Sequence, residues 1–440
     1  MYWFFMVSKP LGRAARGLVL LLPALCPVAA LAQAATPQAA NLTVADGTQI
    51  PYAVYTPAAH RSSRVLLVWV PSEAGLQPAE SSAAASLARA GMEVWVVDPL
   101  AGRFLPTLPS SMDRVPASDI QAVIARAAAT GKAIYLATAG RGAIPVLRGA
   151  RRWQRERQAA QALAGVILIS PKLFVRTPDP GQQARLMPVV QATDLPIYLI
   201  QPAQSPWRWK LDATVPALER SGSDVFVRWL AGVRDRFYFR PDATAQETSL
   251  GRRLPELVLQ GVRLLATLPA RARVGAALSR PAPPVPDGKP DRELTPYAGD
   301  PNPPALRLTD LAGQVRDLKD YRGRVVLVNF WASWCPPCVH EMPSMQRLRD
   351  KLAGSPFTIL AVNMAEDRET VQRFVRSRVP VNFPILLDRD GAALKRWGVF
   401  AFPTSFVIGP RGRIRYALFG SFDWDRPAVV EKLRALLDGP

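Results

Sequence analysis

Long apolar runs set at intervals dominate the first part of the chain. Val65-Leu66-Leu67-Val68-Trp69-Val70 stops at Pro71, and Val94-Trp95-Val96-Val97 stops at Asp98-Pro99. Runs that are apolar at every position, rather than every second one, mark strands covered on both faces, as in a parallel sheet. The same reading predicts strands at 133–138, 165–170, 196–201 and 225–230, and helices at 81–90, 120–130 and 250–268. Strands alternating with helices imply right-handed βαβ units and an α/β domain, bounded here at 42–269.

The pattern then breaks. Pro281, Pro283, Pro284, Pro286, Pro290, Pro296, Pro301 and Pro303 fall within 270–303, which predicts a semi-rigid, largely extended linker. A second α/β pattern fills 304–440. It comprises a small hairpin (306–308 with 315–318), a buried strand at 325–331, a helix at 336–352, a strand at 357–363 and a helix at 368–377. A short strand at 384–387 and a short helix at 392–397 follow. A hairpin of 404–408 and 414–419, turned at Gly409-Pro410-Arg411-Gly412, leads to a closing helix at 426–437.

Composition agrees with two packed domains: 440 residues exceed one typical core, and 49% are hydrophobic against 20% charged. The net charge of +20 raises the question of an anionic partner. Its densest run, Arg148, Arg151, Arg152, Arg155 and Arg157, lies in a helical stretch with Trp153 and accompanies no nucleic-acid motif. The charge therefore reads as an arginine-rich solvated exterior, with nucleic acid not an expected partner. At the N-terminus Lys9, Arg13 and Arg16 precede an apolar segment, 17–29, interrupted by Pro23 and Pro27, and Ala30-Leu31-Ala32 fits an A-x-A cleavage site. This predicts a cleaved secretory signal over 1–32 and a periplasmic location, with an uncleaved membrane anchor as the alternative.

Cys26 falls in that signal, so the exported chain keeps two cysteines, Cys335 and Cys338. They end the segment Asn329-Phe330-Trp331-Ala332-Ser333-Trp334-Cys335-Pro336-Pro337-Cys338, a buried strand running into a Cys-x-x-Cys at a helix start. A helix N-terminus offers unpaired N–H groups and partial positive charge, both of which favour thiolate over thiol. Pro336 and Pro337 suit a first helical turn, where no N–H is needed. Cys335 is then the nucleophile, and Cys338, one turn deeper, resolves the mixed disulfide. A zinc site would need further ligands, and the only histidines are His60 and His340. A c-type haem site needs histidine where Val339 stands. A structural disulfide would close a loop too small to be of much entropic value.

The stretch 329–338, followed by Glu341-Met342-Pro343, resembles the TlpA/ResA type of thioredoxin-like thiol–disulfide oxidoreductases, as does Phe402-Pro403-Thr404-Ser405-Phe406-Val407-Ile408. The resemblance spans about 304–440 and implies a thioredoxin fold with no cofactor. It implies a cis Pro403 facing the dithiol, with the backbone of Phe402 open to β-like pairing with substrate. It puts Glu341 near the active site, to tune cysteine pKa or move protons, and Asn329 where thioredoxin has a buried Asp. Trp334 would shield or present Cys335, while Trp331 packs. The segment 362–379 matches the extra βα insertion of the family. Expected partners are exported proteins bearing disulfides, as in cytochrome c maturation, and a membrane electron donor.

The first domain resembles the α/β-hydrolase fold in its order of elements over 48–268. The strand at 133–138 runs into Thr138-Ala139-Gly140-Arg141-Gly142, where such enzymes carry G-x-S-x-G. Gly140 holds the nucleophile's place, the loop 202–207 offers no acid, and no histidine follows within the domain. Acyl transfer needs a nucleophile and a base, so a hydrolase-like scaffold without a catalytic triad is expected, used for binding a client.

Overall fold

The computed structural model describes residues 37–57, 63–157, 162–180, 182–269, 271–278 and 293–438. The predicted export signal at 1–32, with Cys26, lies outside them, as do His60 and the middle of the predicted linker. Among the described residues no helix is long and apolar enough to cross a membrane.

Eight strands form the first sheet: β1 (Gln38–Thr43), β2 (Gln49–Tyr55), β3 (Val65–Val70), β4 (Glu93–Val97), β5 (Ala133–Ala139), β6 (Leu163–Ile169), β7 (Ile197–Gln204) and β8 (Val225–Arg234). Their order is β1-β2-β4-β3-β5-β6-β7-β8. Strands β3 to β8 are parallel, and β2 runs antiparallel to both β1 and β4. All six predicted strands are present. Within them, alternate side chains serve opposite faces: Leu66, Val68, Leu136 and Val166 enter one core, and Leu67, Trp69, Ala137 and Ile167 the other. Strand β1 was not legible, because its sequence, QAANLT, carries no apolar run and stays largely exposed.

The helix expected over 250–268 is two helices, Ala245–Arg252 and Leu254–Leu265. Thr244 and Glu247 form a reciprocal cap at the start of the first, and Pro255 occupies the first turn of the second. A proline that suits a helix start interrupts a helix interior, so the chain restarts there.

The second sheet draws on β9 (Thr295–Pro296), passes over a separate hairpin of β10 (Arg307–Thr309) and β11 (Val315–Asp317), and continues through β12 (Val325–Trp331), β13 (Phe357–Met364), β14 (Ile385–Asp388), β15 (Thr404–Ile408) and β16 (Ile414–Phe419). Its order is β14-β13-β12-β15-β16-β9. Strand β12 pairs parallel to β13 and antiparallel to β15, so it sits near the centre. Val325, Leu327 and Trp331 face one core while Val326, Val328 and Phe330 face the other. Both ends of the predicted linker belong to folded structure. The Val274 N–H donates to Asp194 at 2.8 Å and the Ala276 N–H to the Ala192 carbonyl at 3.1 Å, while Leu294 is buried and Thr295–Pro296 pairs with β16.

Candidate active site

Strand β12 is buried at every position, and its end fixes where the following turn begins. The chain leaves at Trp331, turns through Ala332-Ser333-Trp334, and enters the helix Pro336–Lys351 with Cys335 as its N-cap. Cys335 and Cys338 are joined as a disulfide. The backbone N–H of Cys338 points at Cys335 Sγ, 3.3 Å away. That donor and the helix's positive end both favour a negative sulfur at Cys335. Cys335 keeps 6% of its surface exposed and Cys338 none, so an incoming sulfur meets Cys335 first. Pro336 and Pro337 occupy the first turn, as expected.

The turn before Cys335 is held from a distant strand end. Glu366, just past β13, accepts the Ser333 N–H at 2.8 Å and also the Ser333 hydroxyl. Asn363 Nδ2 donates to the same carboxylate at 2.8 Å. Sequence reasoning missed Glu366, because nothing local links it to Ser333, 33 positions away.

Glu341 is buried, not an exposed helix glutamate. Its carboxylate accepts from Asn329 Nδ2 at 2.7 Å, from the Phe422 N–H at 3.0 Å and from the Trp424 indole at 3.4 Å. Asn329 also donates to Ser405 Oγ at 2.9 Å, joining β12, the cysteine-bearing helix and β15 behind the disulfide.

Register completes the site. Thr404 of β15 pairs with Phe330 of β12, which brings the cis Phe402–Pro403 peptide to the end of the sheet that carries the cysteines. The Phe402 ring meets Trp334 edge-on, centroids 5.8 Å apart. Trp331 is fully buried and packs against Phe374. Trp334 and Phe402 thus meet beside Cys335 at one end of the sheet, while Cys338 and Glu341 lie buried in the helix that follows.

The AhpC/TSA family profile matches residues 299–417, which include both cysteines. Over 118 residues, 27% of this chain and 67% of the relative, the sequence is 39% identical to the thiol–disulfide oxidoreductase ResA of Geobacillus thermodenitrificans (strain NG80-2). The chain belongs to the ResA family of thiol–disulfide oxidoreductases. ResA of Bacillus subtilis (strain 168) is 36% identical over 118 residues, covering 27% of this chain and 65% of the relative. The crystal structure of StoA from Bacillus subtilis is similar at a TM-score of 0.27 and 25% identity, over 31% of this chain and 99% of that one. The ResA match accounts for the second domain's thioredoxin-like fold and dithiol, and leaves the first sheet without a counterpart.

The first sheet has its own strand-to-helix turn. Strand β5 ends at Ala139, Gly140 takes φ +56°, and a short turn over Gly140–Gly142 opens the helix Ala143–Arg157. A Cβ on Gly140 would run into Glu73 Oε2. The Glu73 carboxylate accepts the Arg141 N–H at 2.8 Å and pairs with Lys172 and, at 3.3 Å, with Arg236. Burial opposes its ionisation, but Lys172 and the Arg141 N–H prevail and hold its pKa at about 2. Beside it lies Asp235, half-buried, which accepts from Ser170 and, at 2.9 Å, from Ser205. Burial pushes the pKa of Asp235 up. The space left among these groups is about 20 Å³, room for about one water.

Proposed function

We propose that this protein is a periplasmic disulfide reductase acting on exported proteins. Cys335 attacks a substrate disulfide as thiolate, forms a mixed disulfide and releases one substrate thiolate. Cys338 then attacks Cys335 Sγ, the second substrate thiol leaves, and the enzyme is oxidised to the Cys335–Cys338 disulfide. A dithiol donor at the membrane returns the two electrons. The observation that carries the reading is the pair itself: Cys335 at the rim with the Cys338 N–H on its sulfur, and Cys338 fully buried behind it.

Trp334 and Phe402 supply an apolar lip for substrate, Pro403 orders the adjoining backbone, and Glu341 serves as the buried acid that exchanges protons behind the dithiol. The first domain is a hydrolase-like scaffold without turnover of its own. Supporting this are Gly140 in the nucleophile's place and Glu73 on the N–H that would otherwise hold an oxyanion. Cys338→Ala in the full chain should accumulate mixed disulfides at Cys335, readable by non-reducing electrophoresis and mass spectrometry of exported proteins. Equal trapping by a Cys335→Ser, Cys338→Ala double variant would rule the mechanism out.

A further inference from the structure

The loop that carries Phe402–Pro403 does not stand on the second domain alone. It leaves the short helix Ala392–Arg396, passes Gly398 and Val399, and reaches Phe400 before the cis peptide. Phe400 is buried, and two of its aromatic neighbours come from the first domain. Phe174, after β6, meets its ring edge-on at 5.2 Å, and Trp207, after β7, does so at 5.5 Å. Lys210 donates from Nζ to the Val399 carbonyl at 3.0 Å and lies over the Phe400 ring at 4.5 Å. A single segment of the first domain, 205–210, thus grips the loop by a ring and by a carbonyl.

The gripping side is itself fixed. Arg141 donates to the Phe174 carbonyl at 3.0 Å and to the Val175 carbonyl at 3.0 Å, and pairs with Asp113 at 2.6 Å. The Ser205 hydroxyl accepts the Trp207 N–H at 3.1 Å and donates to Asp235. A flank of the same contact closes beside it: Trp209 covers Gly391, where a Cβ would strike its ring, and Asp212 pairs with Lys395. A half-buried ammonium is costly to place beside an apolar ring without a partner, and burial lowers the pKa of Lys210 to about 8. Its bond to Val399 makes that position specific, where packing alone would leave the loop free to slide.

We infer that Trp207 and Lys210 are positioning residues for disulfide exchange: the first domain holds the Val399–Pro403 loop so that Phe402 can pair with an extended protein substrate. The inference rests on the reductase reading above. It concerns partners that lay backbone along Phe402, and it leaves the sulfur chemistry at Cys335 untouched. Small disulfides that carry no such backbone should not sense it.

The test compares two substrates of the full-length protein: insulin, with dithiothreitol as reductant, and the small disulfide 5,5′-dithiobis(2-nitrobenzoate), offered to the pre-reduced protein in a single turnover with no other thiol present. Lys210→Met and Trp207→Ala should each lower kcat/KM for insulin about tenfold, chiefly through KM, as expected for a misplaced binding element. The small-disulfide rate and the pH profile of Cys335 alkylation should stay within about twofold of the native values. Lys210→Arg, which keeps the donor and the charge, should restore most of the insulin activity. Should Trp207→Ala fail to fold, Lys210→Met and Lys210→Arg decide the matter alone. Insulin kinetics within about twofold of native in Lys210→Met would overturn the inference. So would an equal fall for both substrates with a shifted alkylation profile, which would mean that the contact supports the thiol site as a whole. Insulin reduction that survives Cys335→Ser would instead defeat the reductase reading, and is read independently of these variants.

Discussion

Two strand-to-helix turns in this chain use the same electrostatic device for opposite ends. After β12, the Cys338 N–H at the start of a helix faces Cys335 Sγ. After β5, the Arg141 N–H at a comparable turn faces the carboxylate of Glu73. Helix starts attract an anion in either case. At the first the group faced is a sulfur, here in the disulfide, with part of its surface open; at the second it is an internal carboxylate, 3% exposed and tied to Lys172. A helix start therefore does not make a reactive site by itself. What matters is whether the group it stabilises can leave the protein's own embrace and meet a substrate.

The sharpest way to break the comparison is to remove each anion in turn. Cys335→Ser should reduce insulin turnover by roughly a thousandfold or more, since no other thiol can form the first mixed disulfide. Glu73→Gln should leave that turnover near native, and instead lower the stability of the first domain by about 3 kcal/mol, because Lys172 loses its buried partner. Chemical denaturation followed at more than one wavelength separates the two results.

The pH dependence sharpens the same contrast. Glu73 is held at about 2 in the folded chain against an ordinary 4.5. Its unfolded form therefore binds more protons than the folded form between those values. The stability it contributes is fully present above about 4.5 and is lost as pH falls toward about 2. Midpoints of unfolding measured across that window should fall more steeply for the native chain than for Glu73→Gln. A parallel fall in both would show that the ion pair is not what holds Glu73.

Gly140→Ser asks whether the closed turn can be reopened by supplying a hydroxyl. It should not confer ester hydrolysis. A side chain at φ +56° that also meets Glu73 should cost about 2 kcal/mol, seen as a lower Tm. The smallest effect is expected at the open turn's support. Ser333→Ala removes one hydroxyl donor to Glu366 but keeps the backbone N–H on the same carboxylate, so a loss of about 1 kcal/mol and a modest change in Cys335 alkylation rate are expected.

Much of the architecture is legible in the hydrophobic pattern of the chain. Val65–Val70 is apolar throughout and Val325–Trp331 at every position but Asn329, and both are central strands. Elements without a hydrophobic signature were harder. Strand β1 is defined by its pairing to β2, and β9 by two residues beside β16. The split at Arg253 follows from Pro255 in the first turn of the second helix, which a search for apolar periodicity passes over.

The dithiol site divides along the same line. Cys335, Pro336, Pro337 and Cys338 lie within one helical turn, and the influence of a helix start on a thiol fades beyond that turn, so sequence by itself determined the thiol–disulfide chemistry and supplies the grounds for proposing Cys335 as the leading cysteine. Partners that arrive from far along the chain were decided only by the tertiary structure. Glu73 reaches Arg141 across 68 positions, Glu341 reaches Phe422 across 81, and Lys210 reaches Val399 across 189. Hydrogen bonds and ring contacts act over a few ångströms of space and carry no trace in a one-dimensional pattern. The closing of one turn and the bracing of the other therefore emerge only when the two sheets have folded.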